Sequence, residues 1–443
     1  MSAGARGGDL PAMVVPPPGP RSRALAARLA AVESPSVDAR REARARESGE
    51  DQAPIVYASG RGVSVVDVDG NRYVDLAAGF GALVLGHGHP AVAAAVAEQQ
   101  ERLSLALGDV FPAEAKVALC ERVAALFPQP GARVLLGSSG ADAVTAALKT
   151  AVLATGRAGV VAFEGAYHGL SHGPLAACGL RPSFREPFAG QLGKHVTFAP
   201  YPDEADAGSL DAAMGAVRRA MATGDVGAVL VEPILGRGGC VVPPAGFLAA
   251  LREACDASGA LLVCDEIWTG LGRSGAMLAS AAAGVVADVV CLGKGLGGGL
   301  PVSACVGSAR AMQAWGAHGG TTIHTATHFG APLACAAAVA TLRTLEEEGL
   351  AERAAVAGAR WMERLRARTV GKGVRAVRGR GLMVGVALDG GAGRALATTR
   401  RLLAHGWIVL TGGVAGDALT LTPPLGVDEA VLDAFADALA AAL

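Results

Sequence analysis

Residues 260–301 read ALLVCDEIWTGLGRSGAMLASAAAGVVADVVCLGKGLGGGLP, and two short apolar runs within them decide the fold. LLVC at 261–264 and VVCL at 289–292 are continuous rather than alternating, and glycine or charge bounds each. A strand that is apolar on both faces belongs in a sheet covered on both sides, the arrangement of parallel strands between helices. The rhythm extends upstream through ARVLLGSS, the helical GADAVTAALKTAVLATG, GVVAFEG, VGAVLVEPI and the amphipathic AGFLAALREACDASG. This alternation predicts an α/β domain with a mainly parallel sheet over residues 114–345, with catalytic groups at strand ends.

On the N-terminal side, VSVVDVDGNRYVDL alternates apolar and polar residues around Asp69-Gly70-Asn71, the pattern of a β-hairpin. AAGFGALVLGHGHP follows, too glycine-rich for regular structure and suited to a site wall. On the C-terminal side, EEEGLAERAAVAGARWMERLRAR is an amphipathic helix, VRAVRGRGLMVGVAL, GWIVLTG and DALTLTPPL read as strands, and DEAVLDAFADALAAAL closes the chain as a helix. The late strands are expected to join the early hairpin in a smaller α+β domain built from residues 51–113 and 346–443. Residues 1–50, with a proline cluster and an Arg-rich run interrupted by acids, read as a flexible lead into an amphipathic helix. The acids argue against a transit peptide, and the lack of an apolar run argues against a secretory signal.

The 443 residues carry a net charge of -1 and are 51% hydrophobic and 18% charged, which argues against disorder and nucleic-acid binding. No stretch reaches the ~18 uninterrupted apolar residues of a membrane-spanning helix. Eight scattered cysteines without a CxxC pair read as buried thiols of a cytoplasmic protein.

Four features stand at strand ends. In LLGSSGADAV a strand runs into Ser138, Ser139 and Gly140 and a helix opens at once, which suits a phosphate seat and equally an ordinary N-cap. Asp265 and Glu266 follow a fully apolar strand, so a partner is implied: a metal, an arginine, a protonated ring nitrogen, or a salt bridge to a neighbouring helix. Lys294 lies among Gly293, Gly295, Gly297, Gly298 and Gly299, where the backbone can bend around a ligand. Desolvation there lowers the lysine pKa and makes its amine a nucleophile for carbonyls. Gly295 in place of Ser or Thr excludes a P-loop, and Pro301 excludes a dinucleotide fingerprint. Tyr167 and His168 follow a strand between glycines, where the tyrosine either joins the core or stacks on a flat cofactor. One ligand uses all four features, since pyridoxal 5′-phosphate has a phosphate, a pyridine nitrogen, an aldehyde and a flat ring.

The ordered elements SSGADAV, YHG, VEPILGRGG, DEIWTGLGR, GKGLGGGLP and HTATHFGAPLACAAA resemble the motifs of the class III (ω-type) aminotransferases over most of residues 55–430. The resemblance implies fold type I of the pyridoxal-phosphate enzymes, transfer of an amino group from an amine or amino acid to a keto acid, and a homodimer with shared active sites. It implies Lys294 as the Schiff-base lysine and Asp265 at the ring nitrogen, with Tyr167 and Ile267 on the two ring faces. Ser139, Gly140, Ala141 and His168 complete the cofactor contacts, Glu232 is a supporting acid, and Thr327 reaches the phosphate of the neighbouring subunit's cofactor.

Departures from the family pattern bear on the substrate. An arginine frequent two residues before the late PPL element is replaced by Thr420, which puts the usual carboxylate clamp in doubt. Arg237 stands in the EPxxGxGG stretch where an acid or glutamine is frequent, and Trp268 replaces a glutamine. Arg237 then either supplies a different anion contact or lies on a solvated loop, while Trp268 narrows a pocket that Phe80 and Tyr57 also wall.

The spacings His168/His172 and His324/His328 and the HGH at 87–89 lack the intervening Glu of a zinc motif, so no metal is expected. A racemase or aminomutase of the same fold would use the same lysine, aspartate and phosphate seat, and ketone formation from an amine separates the two. A non-catalytic cofactor-binding regulator would need a DNA-binding module, for which the N-terminal lead is too short and proline-broken.

Overall fold

The computed structural model describes residues 10–317 and 319–443. The hairpin forms as the alternation predicts. Strands β1 (Tyr57–Arg61), β2 (Ser64–Asp67) and β3 (Arg72–Asp75) pair antiparallel in sequence. Its turn is held by Asp67, whose Oδ1 accepts from the N–H groups of Asp69 and Asn71, while Gly70 takes φ 93°, a conformation that costs glycine little.

The hairpin also anchors the start of the chain, where the structure departs from a flexible lead. Ala12 pairs with Arg72, Asn71 Oδ1 accepts from Val14 and Val15, and Asp69 accepts from Arg21 and Ser22. Helices Pro20–Ala30 and Pro35–Ser48 follow, each opened by a proline that needs no N–H partner there. The second ends at Gly49 in the left-handed conformation. It lies so close to the helix Gly391–Ala404 that a Cβ on Gly393 would sit 2.6 Å from the Glu47 carbonyl oxygen. The expected lead is therefore packed structure over residues 10–50, and its first nine residues lie outside the described ones.

The central sheet has seven strands: β4 (Arg133–Gly137), β5 (Gly159–Phe163), β6 (Val196–Ala199), β7 (Val226–Val231), β8 (Leu261–Asp265), β9 (Val289–Leu292) and β10 (Ser303–Gly307). Their order is β4-β10-β9-β8-β7-β5-β6, parallel except for β10, which runs against both β4 and β9. Every residue of β7, β8, β9 and β10 is buried, which is why these runs show no alternation.

Beyond the long helices Pro332–Glu347 and Leu350–Arg368, strands β11 (Val374–Arg380), β12 (Met383–Leu388), β13 (Trp407–Ile408), β14 (Leu410–Gly412) and β15 (Ala418–Leu421) complete the fold. Only β13 joins the early hairpin, pairing parallel with β3. The other four form their own antiparallel sheet, β11-β12-β15-β14, because the chain leaves one sheet at Ile408 and enters the next at Leu410. The closing helix Glu429–Ala442 packs Phe435 against Trp361 and Trp407, and the Trp361 indole N–H donates to the Leu432 carbonyl. The buried Arg273, just beyond β8, donates to the carbonyls of Leu382 and Pro423 and so ties the central sheet to the C-terminal one. No helix among the described residues is long and apolar enough to cross a membrane.

Candidate active site

Strand β8 delivers two carboxylates that the pleat sends to opposite faces. Glu266 turns into structure, accepting from the Thr269 hydroxyl at 2.6 Å and from the Ala279 N–H, Ser280 N–H and Ser280 hydroxyl at 2.7–2.9 Å. Those neutral donors satisfy a buried acid whose pKa burial has raised. Asp265 instead places Oδ2 2.7 Å from His168 Nδ1, and its Oδ1 accepts from the Ile267 N–H at 3.1 Å. Neither carboxylate meets a Lys or Arg at ion-pair distance among the described residues, so the salt bridge to a neighbouring helix is not formed. His168 Nε2 is buried without a partner.

Lys294 leaves the end of β9 one strand away from Asp265. Its φ of 38° is unusual for a residue with a Cβ, strain of the kind that clusters at functional sites. Its Nζ lies 4.1 Å from the centroid of the Trp268 ring. Burial pulls the ammonium down to about 8, against the opposing pull of the Asp265 and Glu232 carboxylates, and the Arg237 and Arg273 charges add to the lowering. A lysine with that pKa is partly a free amine near neutral pH.

Glycines bring the other elements against this pair. A Cβ on Gly140, the first residue of the helix Gly140–Thr155, would sit 2.8 Å from Ile267 Cδ1. A Cβ on Gly293 would lie 3.3 Å from Ile267 Cγ2 and 3.6 Å from Gly140 Cα. Gly169, at φ 110°, could not carry a Cβ without meeting that of Ala141 at 2.9 Å. The start of this helix, the residue after Asp265, the loop before Lys294 and the Tyr167-His168-Gly169 turn therefore meet at one point. The helix is capped as an ordinary N-terminus, since Ser139 Oγ accepts from the Asp142 N–H while Asp142 Oδ2 accepts from Ser138 and Ser139. The two readings of this segment coexist, because the N–H groups of Gly140 and Ala141 have no preceding turn to bond to and remain available to an anion.

Glu232, just past β7, joins the two walls of the site. Its Oε1 accepts from the Tyr167 N–H at 2.7 Å and its Oε2 from the Gly236 N–H at 2.9 Å. Burial pushes this carboxyl up to about 7, opposed by His168 and by those two N–H groups. Trp268 is wedged between Gly81 and Gly236: Cβ atoms there would lie 2.4 Å from its Nε1 and 2.3 Å from its Cε3. Its indole N–H is buried without a partner. Arg237 lies with its guanidinium carbon 4.5 Å from the Tyr167 ring centroid, so it is part of the site wall and not of a solvated loop.

The remaining candidates stand apart. Phe80, at φ 59°, is half exposed and directly precedes Gly81, which packs on Trp268. Tyr57 is on β1, whose five residues are all exposed, and Thr327 is exposed in a loop tied down by Thr325 to Asp109 and by Lys149 to the Ile323 carbonyl. Thr420 is buried with its hydroxyl unpartnered and abuts Gly412. Among the described residues no three His, Cys, Asp or Glu side chains gather as metal ligands. His87 bonds Asp75 and His172 bonds Gln191. Arg40, Arg44 and Arg181 were not singled out from sequence, yet they face Arg237 across a cavity. The only signal was the four-residue spacing of Arg40 and Arg44 on one helix face.

These residues suit pyridoxal phosphate. Free first-turn N–H groups could take its phosphate, Asp265 a protonated ring nitrogen, and Tyr167 and Ile267 the ring faces. The buried unpartnered polar atoms of His168 and Trp268 mark a place where a polar ligand belongs.

The family model for aminotransferase class-III matches residues 45–443. The acetylornithine aminotransferase of Mycobacterium tuberculosis is 42% identical over 401 residues, 88% of this chain and 92% of that protein. That of Methanothermobacter thermautotrophicus is 35% identical over 87% of this chain and 93% of its own. Among solved structures, a PLP-bound amine transaminase from an uncultivated Pseudomonas species superposes with a TM-score of 0.81 at 31% identity, covering 88% of this chain and 94% of that one. The ornithine aminotransferase of Toxoplasma gondii gives 0.80 at 32% identity, with 90% and 93% covered.

Proposed function

The chain belongs to the class III aminotransferases, and from that premise we propose which residues perform the transfer and which amine is the donor. The enzyme moves an amino group from an amine or amino acid to a keto acid with pyridoxal 5′-phosphate as cofactor. When bound, that cofactor supplies an aldehyde that takes up the amino group and a ring that accepts the electrons of a broken C–H bond.

Lys294 would hold the cofactor's aldehyde carbon, and its amine would be the base that moves the proton at the substrate's amine-bearing carbon. The observation that carries this is the place of Lys294 just past the end of β9, beside the parallel strand that ends in Asp265, with its buried amine pulled down to about 8. A base of that strength keeps enough free amine near neutral pH to take a proton from the amine-bearing carbon and enough ammonium to return one. Asp265 would hold the proton on the ring nitrogen, with His168 fixing its orientation. Gly140, Ala141 and Ser139 would seat the phosphate and Tyr167 and Ile267 would cover the ring, while Glu232 braces Tyr167 against the turn at Gly236.

The donor carries its amine on a terminal primary carbon. The relatives named acetylornithine and ornithine aminotransferase support this. The active form is a homodimer in which Thr327 and Tyr57 face the partner. Exposed Leu103, Leu105, Leu107, Val110 and Phe111 support that reading, since such a patch is unusual on a monomer surface.

Borohydride reduction of the purified holoenzyme, followed by peptide mass analysis, tests the lysine. The cofactor is expected on the peptide containing Lys294, and a label on any other lysine overturns the assignment. N-acetylornithine or a terminal diamine is expected to bleach the visible absorbance and release an aldehyde. Lys294→Ala should retain cofactor and lose turnover by at least about 10³-fold.

A further inference from the structure

The helix Pro35–Ser48 borders a cavity of about 410 Å³ whose lining holds four guanidiniums, Arg40, Arg44, Arg181 and Arg237, against one carboxylate, Glu47. Among the described residues Arg40, Arg44 and Arg237 make no ion pair. Arg181 spends two of its N–H groups on the carbonyls of Val414 and Gly413. Arg237 is held by its faces, 4.5 Å from the Tyr167 ring centroid and 5.9 Å from that of Phe184. Stacking of that kind leaves the edge of the guanidinium, where its donors lie, free to meet an oxyanion. Burial and the Arg237 and Arg181 charges lower the Arg40 and Arg44 pKa values, with Arg40 adding to the lowering at Arg44 and Glu47 opposing it there, so the like charges outweigh their one counter-charge.

The cavity adjoins the reacting centre. Arg237 follows Gly236, which packs on Trp268, and the Lys294 amine lies 4.1 Å from the centroid of the same indole. Tyr167, the candidate ring cover, stacks on Arg237, and Arg237 in turn lines the cavity. An extended substrate with its amine or carbonyl at Lys294 would send its far end toward Arg237 and the cavity that Arg237 lines.

We propose that this cavity is a specificity site for substrates whose far end is a dianionic oxyanion, with the chemistry of a phosphate or phosphonate, and that Arg40 and Arg44 of the N-terminal helix select it. One carboxylate would neutralise a quarter of the cluster, whereas a dianion with three oxygens can take bidentate bonds from two guanidiniums and a third from Arg237. This rests on the aminotransferase site described above, because the reacting amine or carbonyl is placed by Lys294.

Calorimetric titration of the holoenzyme with three unreactive acids tests it without turnover: butyrate, glutarate and 4-phosphonobutyrate. The phosphonate should bind about tenfold or more tighter than glutarate, and glutarate tighter than butyrate. In Arg40→Ala/Arg44→Ala the preference for the phosphonate should collapse to within about threefold, and Arg40→Lys/Arg44→Lys should restore part of it. Equal affinities for the three acids, glutarate binding tighter than the phosphonate, or a preference that survives the double alanine variant each overturn the proposal. Failure of the aminotransferase reading would appear separately, as a holoenzyme whose absorbance no amine bleaches.

Discussion

His168 Nδ1 and Asp265 Oδ2 stand 2.7 Å apart, both buried, and no other side chain reaches that carboxylate. An ionised carboxylate only accepts, so Nδ1 carries the hydrogen, and the imidazole fixes the direction in which the carboxylate presents its remaining lone pairs. His168 is therefore a positioning residue. His168→Ala should lower turnover by roughly 10²-fold, the penalty of a misplaced reacting group. It should also shift the pH dependence of the cofactor's visible absorbance, because the carboxylate loses the N–H that holds it in position for the ring nitrogen. His168→Asn keeps an N–H and should recover part of both. Lost activity with an unshifted absorbance profile would leave His168 a merely structural role.

The 2.8 Å between Ile267 Cδ1 and a Cβ on Gly140 makes a paired test of the phosphate seat. Gly140→Ala forces Ile267 away from the position proposed to cover the ring, with overpacking on the order of 1–3 kcal/mol. Cofactor retention on dialysis should fall about tenfold. Adding Ile267→Val shortens the offending branch and should restore most of the loss. Non-additivity in that direction is the signature of direct contact. Purely additive losses would show that the two residues do not share the seat.

Glu232 links site geometry to stability. Burial raises its carboxyl from the usual 4.5 to about 7, so between those values the folded apoprotein binds a proton that the unfolded chain has released. Stability from this group is full below about 4.5 and declines as pH rises through about 7. Glu232→Gln removes the titration and keeps one acceptor for Tyr167 or Gly236. The apoprotein variant should gain on the wild type between pH 5 and 8, by on the order of 1–3 kcal/mol, with no further change above pH 8. Urea unfolding at pH 5, 6, 7 and 8 measures it, and a difference that stays constant with pH refutes the assignment.

Sequence carried the central sheet well because β7, β8 and β9 are buried on both faces, and a continuous apolar run has few other uses. It also brought Lys294, Asp265, Tyr167 and the start of the helix after Ser139 to strand ends, from which parallel topology assembles one site. The apolar run before them gave no physical ground for choosing Asp265 over Glu266, a choice that came from the family resemblance. Adjacent acids look alike until the pleat gives one of them to His168 and the other to Ser280 and Thr269. Nor could sequence distinguish a charged helix face in water from one lining a cavity, which hid Arg40 and Arg44. The split of the late strands was equally illegible, since Trp407–Ile408 is too short to announce that it changes sheets.

Thr327 is exposed in a loop that meets the apolar 103–111 segment through the Thr325 to Asp109 hydrogen bond. If two chains pack on that segment, Thr327 leaves its own site and enters the partner's, and hybrids separate the two arrangements. Thr327→Trp blocks the seat across the interface, and Lys294→Ala disables the base within a chain, so each homodimer should be nearly inactive. Unfolded together and refolded as a mixture, half of the dimers are mixed, and each mixed dimer has one site with both wild-type residues. Activity should return to roughly a quarter of the wild-type level under random pairing. Recovery near zero places Thr327 in the same chain's site, because no mixed dimer would then hold an intact pair.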